Sequence, residues 1–118
     1  MRTRRGKQRP AATLALAERG FVGITVLLEF ERVMRGFYQL PRADISRVLR
    51  ALAGVQHIAL EDRALVLSAL SAYELGLDFA DALHHARSTR ASAFVTFDKR
   101  FASKAKALAL VPVVEVLT

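Results

Sequence analysis

The strongest constraint on the fold is a regular alternation between short apolar runs and longer stretches of helical periodicity. The apolar runs are strand-like and occupy residues 21–24, 55–60, 93–97 and 111–117. Between them, apolar residues recur every three or four positions, as at Ile45, Val48, Leu49 and Leu52, which predicts helices. Strands that alternate with helices favour a mostly parallel sheet that is covered on both faces. We therefore expect an open α/β sandwich.

Local signals place the ends of these elements. Glycines are positioned to end four helices, at Gly20, Gly36, Gly54 and Gly76. The first of these helices is predicted at residues 11–19, and Thr25 is predicted to cap the second. Asp78 is expected to begin a helix that runs to about Arg90. Pro112 indicates that the last strand lies at a sheet edge.

Length and composition exclude several classes of protein. The chain has 118 residues, 53% of them hydrophobic, which suits one domain with a sizeable core and argues against disorder. No run approaches the roughly 20 apolar residues of a membrane span, so we expect no membrane association. The absence of cysteine excludes disulfides and thiolate metal sites, and with no signal peptide pattern we expect a cytoplasmic protein.

The net charge of +7 is concentrated at the N-terminus. Residues 1–10 contain five basic side chains and no acid, and without them the chain holds 13 basic against 11 acidic residues, or +2. A basic arm of this kind can add nucleic-acid affinity through counterion release. We interpret it instead as a solvated, disordered terminus, with a single domain at residues 11–118.

Several acidic residues lie just after the predicted strands or at the starts of the predicted helices. Asp98 comes directly after strand 93–97, and Asp78 and Asp81 lie in the first turn of their helix. Glu29 lies just over one turn into the helix after strand 21–24. Ligands in open α/β sheets bind beyond the carboxyl ends of the strands. Carboxylates gathered there would repel one another unless cations lie between them, and hard oxygen donors suit Mg²⁺ or Mn²⁺.

Each carboxylate also has a structural interpretation. Asp78 and Asp81 have the spacing of a helix cap and a first-turn acid, and Asp98 could be an ordinary turn residue. Glu29 lies on a strongly apolar helix, where a lone carboxylate is costly, so an ion pair with an arginine is its alternative role. The three histidines are expected to be structural, since the adjacent His84 and His85 would point about 100° apart on a helix.

Three segments together resemble the PIN-domain family. Residues 21–29 resemble its second strand and acidic helix, residues 76–84 its aspartate-containing helix start, and residues 94–101 its strand followed by Thr-x-Asp and basic residues. Their order and spacing match over about residues 11–117. The resemblance implies a three-layer α/β/α sandwich, a pocket for Mg²⁺ or Mn²⁺ and endoribonuclease activity. In the toxin branch, which is VapC-like, it also implies a cognate antitoxin protein as partner and a homodimer.

The resemblance assigns roles position by position. It implies a catalytic and metal-binding set of Glu29, Asp81 and Asp98, with Thr96 as a supporting hydroxyl and Asp78 as an auxiliary carboxylate. Candidate contacts to the RNA backbone are the nearby cations, each with plain surface charge as its alternative: Lys99, Arg100 and Lys104, and further away Arg87, Arg90 and Lys106.

The N-terminus departs from the family pattern. PIN domains open with a central strand that ends in an Asp-x-Asn-type motif, and its aspartate is a principal metal ligand. Residues 1–10 resemble no such strand, so we expect a PIN-like domain that lacks it, with weakened metal binding and low or absent cleavage. The alternative is a catalytically inactive remnant that acts only as an antitoxin- or protein-binding module. A basic nucleic-acid-binding protein without catalysis is a third possibility, which rests only on the arginine-rich terminus.

Overall fold

The computed structural model describes residues 20–117, which form five helices and four short strands. The expected mixed α/β architecture is confirmed. The predicted helix at residues 11–19 and the basic segment before it lie outside the described residues. In chain order the elements are β1 (Gly20–Val22), α1 (Ile24–Gly36), α2 (Arg42–Ala53), β2 (Ile58–Leu60), α3 (Arg63–Glu74), α4 (Phe79–Ala86), β3 (Ala93–Thr96), α5 (Lys99–Ala107) and β4 (Val113–Val116).

The strands are parallel, as expected, but they form two separate pairs. Strand β1 pairs with β2, with Gly20 opposite Ile58, and β3 pairs with β4, with Ala93 opposite Val113. Within residues 20–117 no strand joins β1 to β3, so the single sheet that we expected is divided into two. Each strand of the described chain is therefore an edge strand, including β4, which follows Pro112 directly.

The core is built mainly from helices α2, α3 and α4. Its largest fully buried side chains include Tyr73 and Phe79, whose rings meet edge to face with centroids 5.3 Å apart. Burying a side chain of this size contributes about 1.5–3 kcal/mol. The apolar residues on and beside the strands are less well covered, since Phe21, Val95 and Phe97 are all exposed. None of the helices within residues 20–117 is long and apolar enough to cross a membrane.

An arginine from α2 fixes the turn between α3 and α4. The Nη1 atom of Arg42 donates to the carbonyls of Tyr73 and Leu77 at 2.8 and 2.6 Å, and its guanidinium lies 4.4 Å from the centre of the Tyr73 ring. Tyr73 lies in the last turn of α3 and Leu77 in the turn that follows it, so one guanidinium ties the end of the helix to the turn. Arg42 therefore holds the chain at Leu77, two residues before the first helical residue of α4.

One predicted helix boundary is wrong. Gly23, not Thr25, is the N-cap of α1, and the Ile24 N–H donates to Glu61 Oε1 at 2.9 Å, so the cap is supplied from the loop after β2. Gly20 is the first residue of β1, and the helix predicted to end there lies outside the described residues. The predictions at Gly36 and Gly54 are confirmed, because α1 ends at the first and α2 ends just before the second.

Two predicted elements are shorter than expected. Helix α4 ends at Ala86 rather than near Arg90, and the Ser88 hydroxyl donates to the His85 carbonyl at 2.6 Å. This bond satisfies a carbonyl of the last turn in place of a continuing helix. The predicted strand at 55–60 is reduced to its last three residues, which are the ones that pair with β1.

Candidate active site

Asp98 is held where β3 ends and α5 begins. It is the N-cap of α5, and its Oδ1 accepts the N–H groups of Arg100 and Phe101 at 2.9 and 3.1 Å. The Asp98 N–H in turn donates to Thr96 Oγ1 at 3.0 Å. Thr96 thus fixes the backbone of Asp98. Since both cap bonds fall on Oδ1, Oδ2 remains for a further ligand.

Asp78 and Asp81 open helix α4. Asp78 is the N-cap, and its Oδ2 accepts the Asp81 N–H at 3.1 Å, so the capping role proposed as its alternative is present. Phe79, only 1% exposed, anchors the first turn in the core. This anchor holds the half-buried Asp81 at the N-terminus of the helix, where the dipole favours negative charge.

These three aspartates line one cavity of about 540 Å³. Three cations line it as well, namely Arg35, Arg100 and Lys104. The Lys104 Nζ donates to the Gly76 carbonyl at 3.1 Å, which ties α5 to the turn before α4. The structure therefore brings together Asp81 and Asp98 of the implied metal set, the auxiliary Asp78, and two of the three candidate RNA contacts. Lys99 is exposed on the same first turn of α5 but is not part of the cavity lining.

The surroundings of Asp81 disfavour its ionised form. Burial raises the pKa of the Asp81 carboxyl, and the negative charges of Asp78 and Asp98 raise this pKa further, while His84 opposes the shift. Desolvation and like charges both disfavour the ionised form of an acid. A cation bound among the three carboxylates would relieve the repulsion, which is the chemistry expected of a site for a hard metal ion.

We expect the pKa of Asp81 to fall when a neighbouring charge is removed. In Asp98→Asn one of the repelling carboxylates becomes neutral, so the ionised form of Asp81 becomes easier to reach. Carboxyl-carbon NMR titration of wild type and variant measures this directly. Asp44→Asn is the matched control, because Asp44 is paired with Arg47 on the surface of α2. An Asp81 pKa that is equal in all three proteins would contradict the proposed coupling.

Glu29 lies outside the aspartate cavity. Its side chain is 69% exposed and makes a loose ion pair with Arg32, with an N–O distance of 3.9 Å. It lines a neighbouring cavity of about 490 Å³, and the two cavities share Arg35 and Asp78 as lining residues. The structural alternative of an arginine pair is therefore present, although such an exposed pair contributes little stability.

The buried carboxylate of α1 is Glu31. The Tyr73 hydroxyl donates to its Oε2 at 3.0 Å, and Arg35 donates to the same oxygen from Nε at 2.8 Å. We expected a costly carboxylate at Glu29, but two residues along a helix is a rotation of about 200°, so Glu31 faces the core and Glu29 faces away. Because α1 carries apolar residues on all sides of Glu29 and Glu31, the sequence pattern does not show which of the two glutamates is buried. The i, i+4 spacing of Glu31 and Arg35 was the available signal for this pair.

Replacing each glutamate in turn distinguishes the buried, hydrogen-bonded Glu31 from the exposed Glu29. Glu31→Ala is expected to cost about 1–3 kcal/mol, because it leaves the buried Tyr73 hydroxyl and the Arg35 guanidinium without their acceptor. Glu29→Ala, at an exposed position of the same helix, is expected to change the free energy of unfolding by less than about 0.5 kcal/mol. Urea denaturation of both variants measures the difference, and equal losses would show that the buried network is not formed.

The histidines are placed apart from the carboxylates, except His84. His85 is buried, with Nε2 2.7 Å from the Pro112 carbonyl and its ring against Phe94 and Phe101. His84, its neighbour, is exposed and affects Asp81 only through charge. His57 is exposed before β2, and its backbone carbonyl accepts the Gly20 N–H at 2.9 Å.

The carboxylate oxygens of the three aspartates suit a divalent ion chemically, but they do not lie close enough together to coordinate one ion as they stand. Asp78 and Asp98 each use one carboxylate oxygen for capping, and the other oxygen remains available. Within residues 20–117 no three acidic or histidine side chains are close enough together to hold a metal ion as they stand. A bound ion would therefore have to draw the side chains of the cavity inward.

Comparison with known proteins assigns a family. The family model of the PIN domain matches residues 2–107, which is most of the chain. The match begins within the basic N-terminal segment. Searches of curated proteins and of solved structures returned no significant match. PIN domains are generally nucleases that act on RNA or other nucleic acid and use divalent metal ions. With a match of this extent and an α/β fold that carries aspartates at the ends of its elements, the chain belongs to the PIN-domain family.

Proposed function

We propose that this protein is an Mg²⁺- or Mn²⁺-dependent endoribonuclease of the VapC-like toxin type. The observation that carries the proposal is the single cavity lined by Asp78, Asp81 and Asp98 in a chain that belongs to a nuclease family. Asp81 and Asp98 are the principal metal ligands and catalytic residues in this proposal. Asp78 assists from its capping position, and Glu29 contributes from the neighbouring cavity.

The residues of the chain would prepare the site for chemistry. Thr96 and the start of α5 hold Asp98, and the buried first turn of α4 holds Asp81. Arg100 and Lys104 offer cations to the phosphates of the substrate. A divalent ion, when bound, would lower the pKa of a water molecule and stabilise the charge that develops on the scissile phosphate. Because Asp81 must lose its proton before it can bind an ion, cleavage should rise with pH through the raised pKa of this group.

The biological setting is part of the same proposal. Resemblance to the toxin branch supports a cognate antitoxin and a homodimer, and the absence of cysteine supports a cytoplasmic location. Exposed large apolar side chains, including Phe21, Phe37, Phe97 and Val111, offer surface for a protein partner. The separation of the metal ligands supports weak ion binding and slow cleavage.

A second candidate is a catalytically inactive PIN-like module that only binds the antitoxin or another protein. Two observations favour it: the described strands form two unjoined pairs, and Glu29 lies outside the aspartate cavity. Edge strands with unpaired backbone groups can pair with another chain. The two candidates differ in metal affinity, since only the nuclease requires a divalent ion at Asp81 and Asp98.

Cleavage of a mixed-sequence RNA by the purified chain tests the proposal. We expect cleavage with Mn²⁺ that EDTA abolishes and that Asp81→Asn reduces, whereas Asp44→Asn, a surface aspartate on α2, cleaves like wild type. Equal cleavage by Asp81→Asn and Asp44→Asn would point to a contaminating nuclease. A folded wild-type protein that binds no Mn²⁺ and cuts no RNA would favour the inactive module.

A further inference from the structure

Arg35 is a cation of the aspartate cavity that neither the sequence pattern nor the family motifs single out. It lies in the last turn of α1 and lines both cavities, the one formed by the three aspartates and the one that contains Glu29. We propose that Arg35 binds a backbone phosphate of the RNA strand beside the carboxylates, and that Glu31 and Tyr73 position it for this contact. The inference rests on the proposed nuclease function and adds a substrate-binding residue to it.

A buried network fixes the guanidinium from one side. Glu31 has a side chain only 5% exposed, and it accepts from Nε and Nη2 of Arg35 at 2.8 and 3.4 Å. The Tyr73 hydroxyl, in the core of the protein, donates to the same carboxylate at 3.0 Å. Burial and the charge of Glu31 raise the pKa of Tyr73 to about 12, so the hydroxyl stays a donor at any physiological pH.

The other side of Arg35 faces solvent and the cavities. Its side chain is 51% exposed, and the bonds to Glu31 leave both N–H groups of Nη1 and the second N–H of Nη2 for another acceptor. A guanidinium with fixed orientation suits phosphate better than a flexible ammonium, since its planar fork can donate two parallel hydrogen bonds.

The position of Arg35 defines a path for the substrate. Arg35 and Asp78 are the two residues that line both cavities, so the cavities adjoin at these side chains. An RNA strand that occupies both cavities would pass beside them. Phosphates near three carboxylates require a compensating cation. Arg35 supplies one from α1, whereas Arg100 supplies one from α5.

RNA binding without cleavage tests the inference. The parent protein carries Asp98→Asn so that RNA remains intact, and a fluorescent single-stranded RNA is titrated in EDTA between 50 and 300 mM salt. We expect Arg35→Ala to weaken binding about tenfold at low salt and to reduce the slope of log affinity against log salt by about 0.7, the value for one phosphate contact on a single strand. Arg35→Lys should recover part of the affinity, because it keeps the charge but loses the fork.

Two further variants separate phosphate binding from a structural role. Arg47→Ala removes an arginine that is also paired with a carboxylate of its own helix, but that lies outside both cavities, and it should bind RNA within twofold of the parent. Glu31→Gln removes a negative charge, so general electrostatics alone would strengthen binding. We expect weaker binding instead, because Arg35 loses its orientation.

The outcomes distinguish this inference from the function on which it rests. If the parent binds RNA and Arg35→Ala behaves like Arg47→Ala, Arg35 holds no phosphate and the inference is overturned while the nuclease proposal stands. If the folded parent binds no RNA either in EDTA or with Mn²⁺ added, the proposed function itself fails, and the inference fails with it.

Discussion

Asp98→Asn is expected to reduce Mn²⁺-dependent RNA cleavage at least about 100-fold while the fold remains as stable as in the wild type. The large effect on cleavage follows because even partners of metal ligands contribute about 10–100-fold, and Asp98 is proposed as a ligand itself. Stability should change by less than about 0.5 kcal/mol, because asparagine caps a helix as well as aspartate does and can accept the same N–H groups of Arg100 and Phe101. Cleavage rates and urea denaturation measure the two effects.

Asp98→Ala is the matched variant. It removes both the charge and the cap, so it should lose cleavage to the same extent and also about 1 kcal/mol of stability. Cleavage by Asp98→Asn within fivefold of the wild type would remove Asp98 from the catalytic set and leave it as a cap only.

Phe79→Ala is expected to have the largest effect on stability, a loss of about 3–5 kcal/mol. The ring is 1% exposed and packs edge to face on Tyr73, so its removal leaves a cavity in the centre of the helical core. The loss should also release the start of α4, which carries Asp78 and Asp81. Chemical denaturation followed by circular dichroism measures the stability.

Phe37→Ala provides the control for this prediction. Phe37 is 77% exposed at the end of α1, so its loss should cost less than about 0.5 kcal/mol. If Phe79→Ala cost no more than Phe37→Ala, the packing of α4 against α3 described above would be incorrect.

Local signals in the sequence predicted most of the fold and the positions of the three carboxylates that line the cavity. The alternation of apolar runs with helical periodicity gave every strand and helix within residues 20–117, and the glycines located several ends. Asp78, Asp81 and Asp98 could be placed because each lies at a helix start, and the ends of such elements gather at one edge of an α/β fold.

Features that depend on distant parts of the chain could not be predicted. The cap of α1 comes from Glu61, which is 37 residues away, so the local hydroxyl of Thr25 was a misleading signal. The choice between Glu29 and Glu31 depended on the rotation of an almost uniformly apolar helix against Tyr73. A single sheet would need a strand that bonds both β1 and β3, and residues 20–117 supply none.

The role proposed for Arg35 could not be predicted from the sequence for a related reason. As one of many basic residues in a chain with 18 of them, it had no distinguishing pattern beyond its spacing from Glu31. Only the packing of α1 beside α4 places it at the cavity that holds the aspartates. Its role is thus a property of the tertiary structure rather than of a motif.

The most direct test of the central claim is to locate the metal ion by NMR. Mn²⁺ broadens the signals of nearby amides, so trace amounts added to the isotopically labelled wild type report where it binds. We predict that broadening is concentrated at Asp78, Asp81 and Asp98 and their chain neighbours, that it spares residues 44–50 of α2, and that Asp98→Asn weakens it. Broadening that is uniform, or that is centred away from the three aspartates, would contradict the assignment of this cavity as the metal-dependent active site.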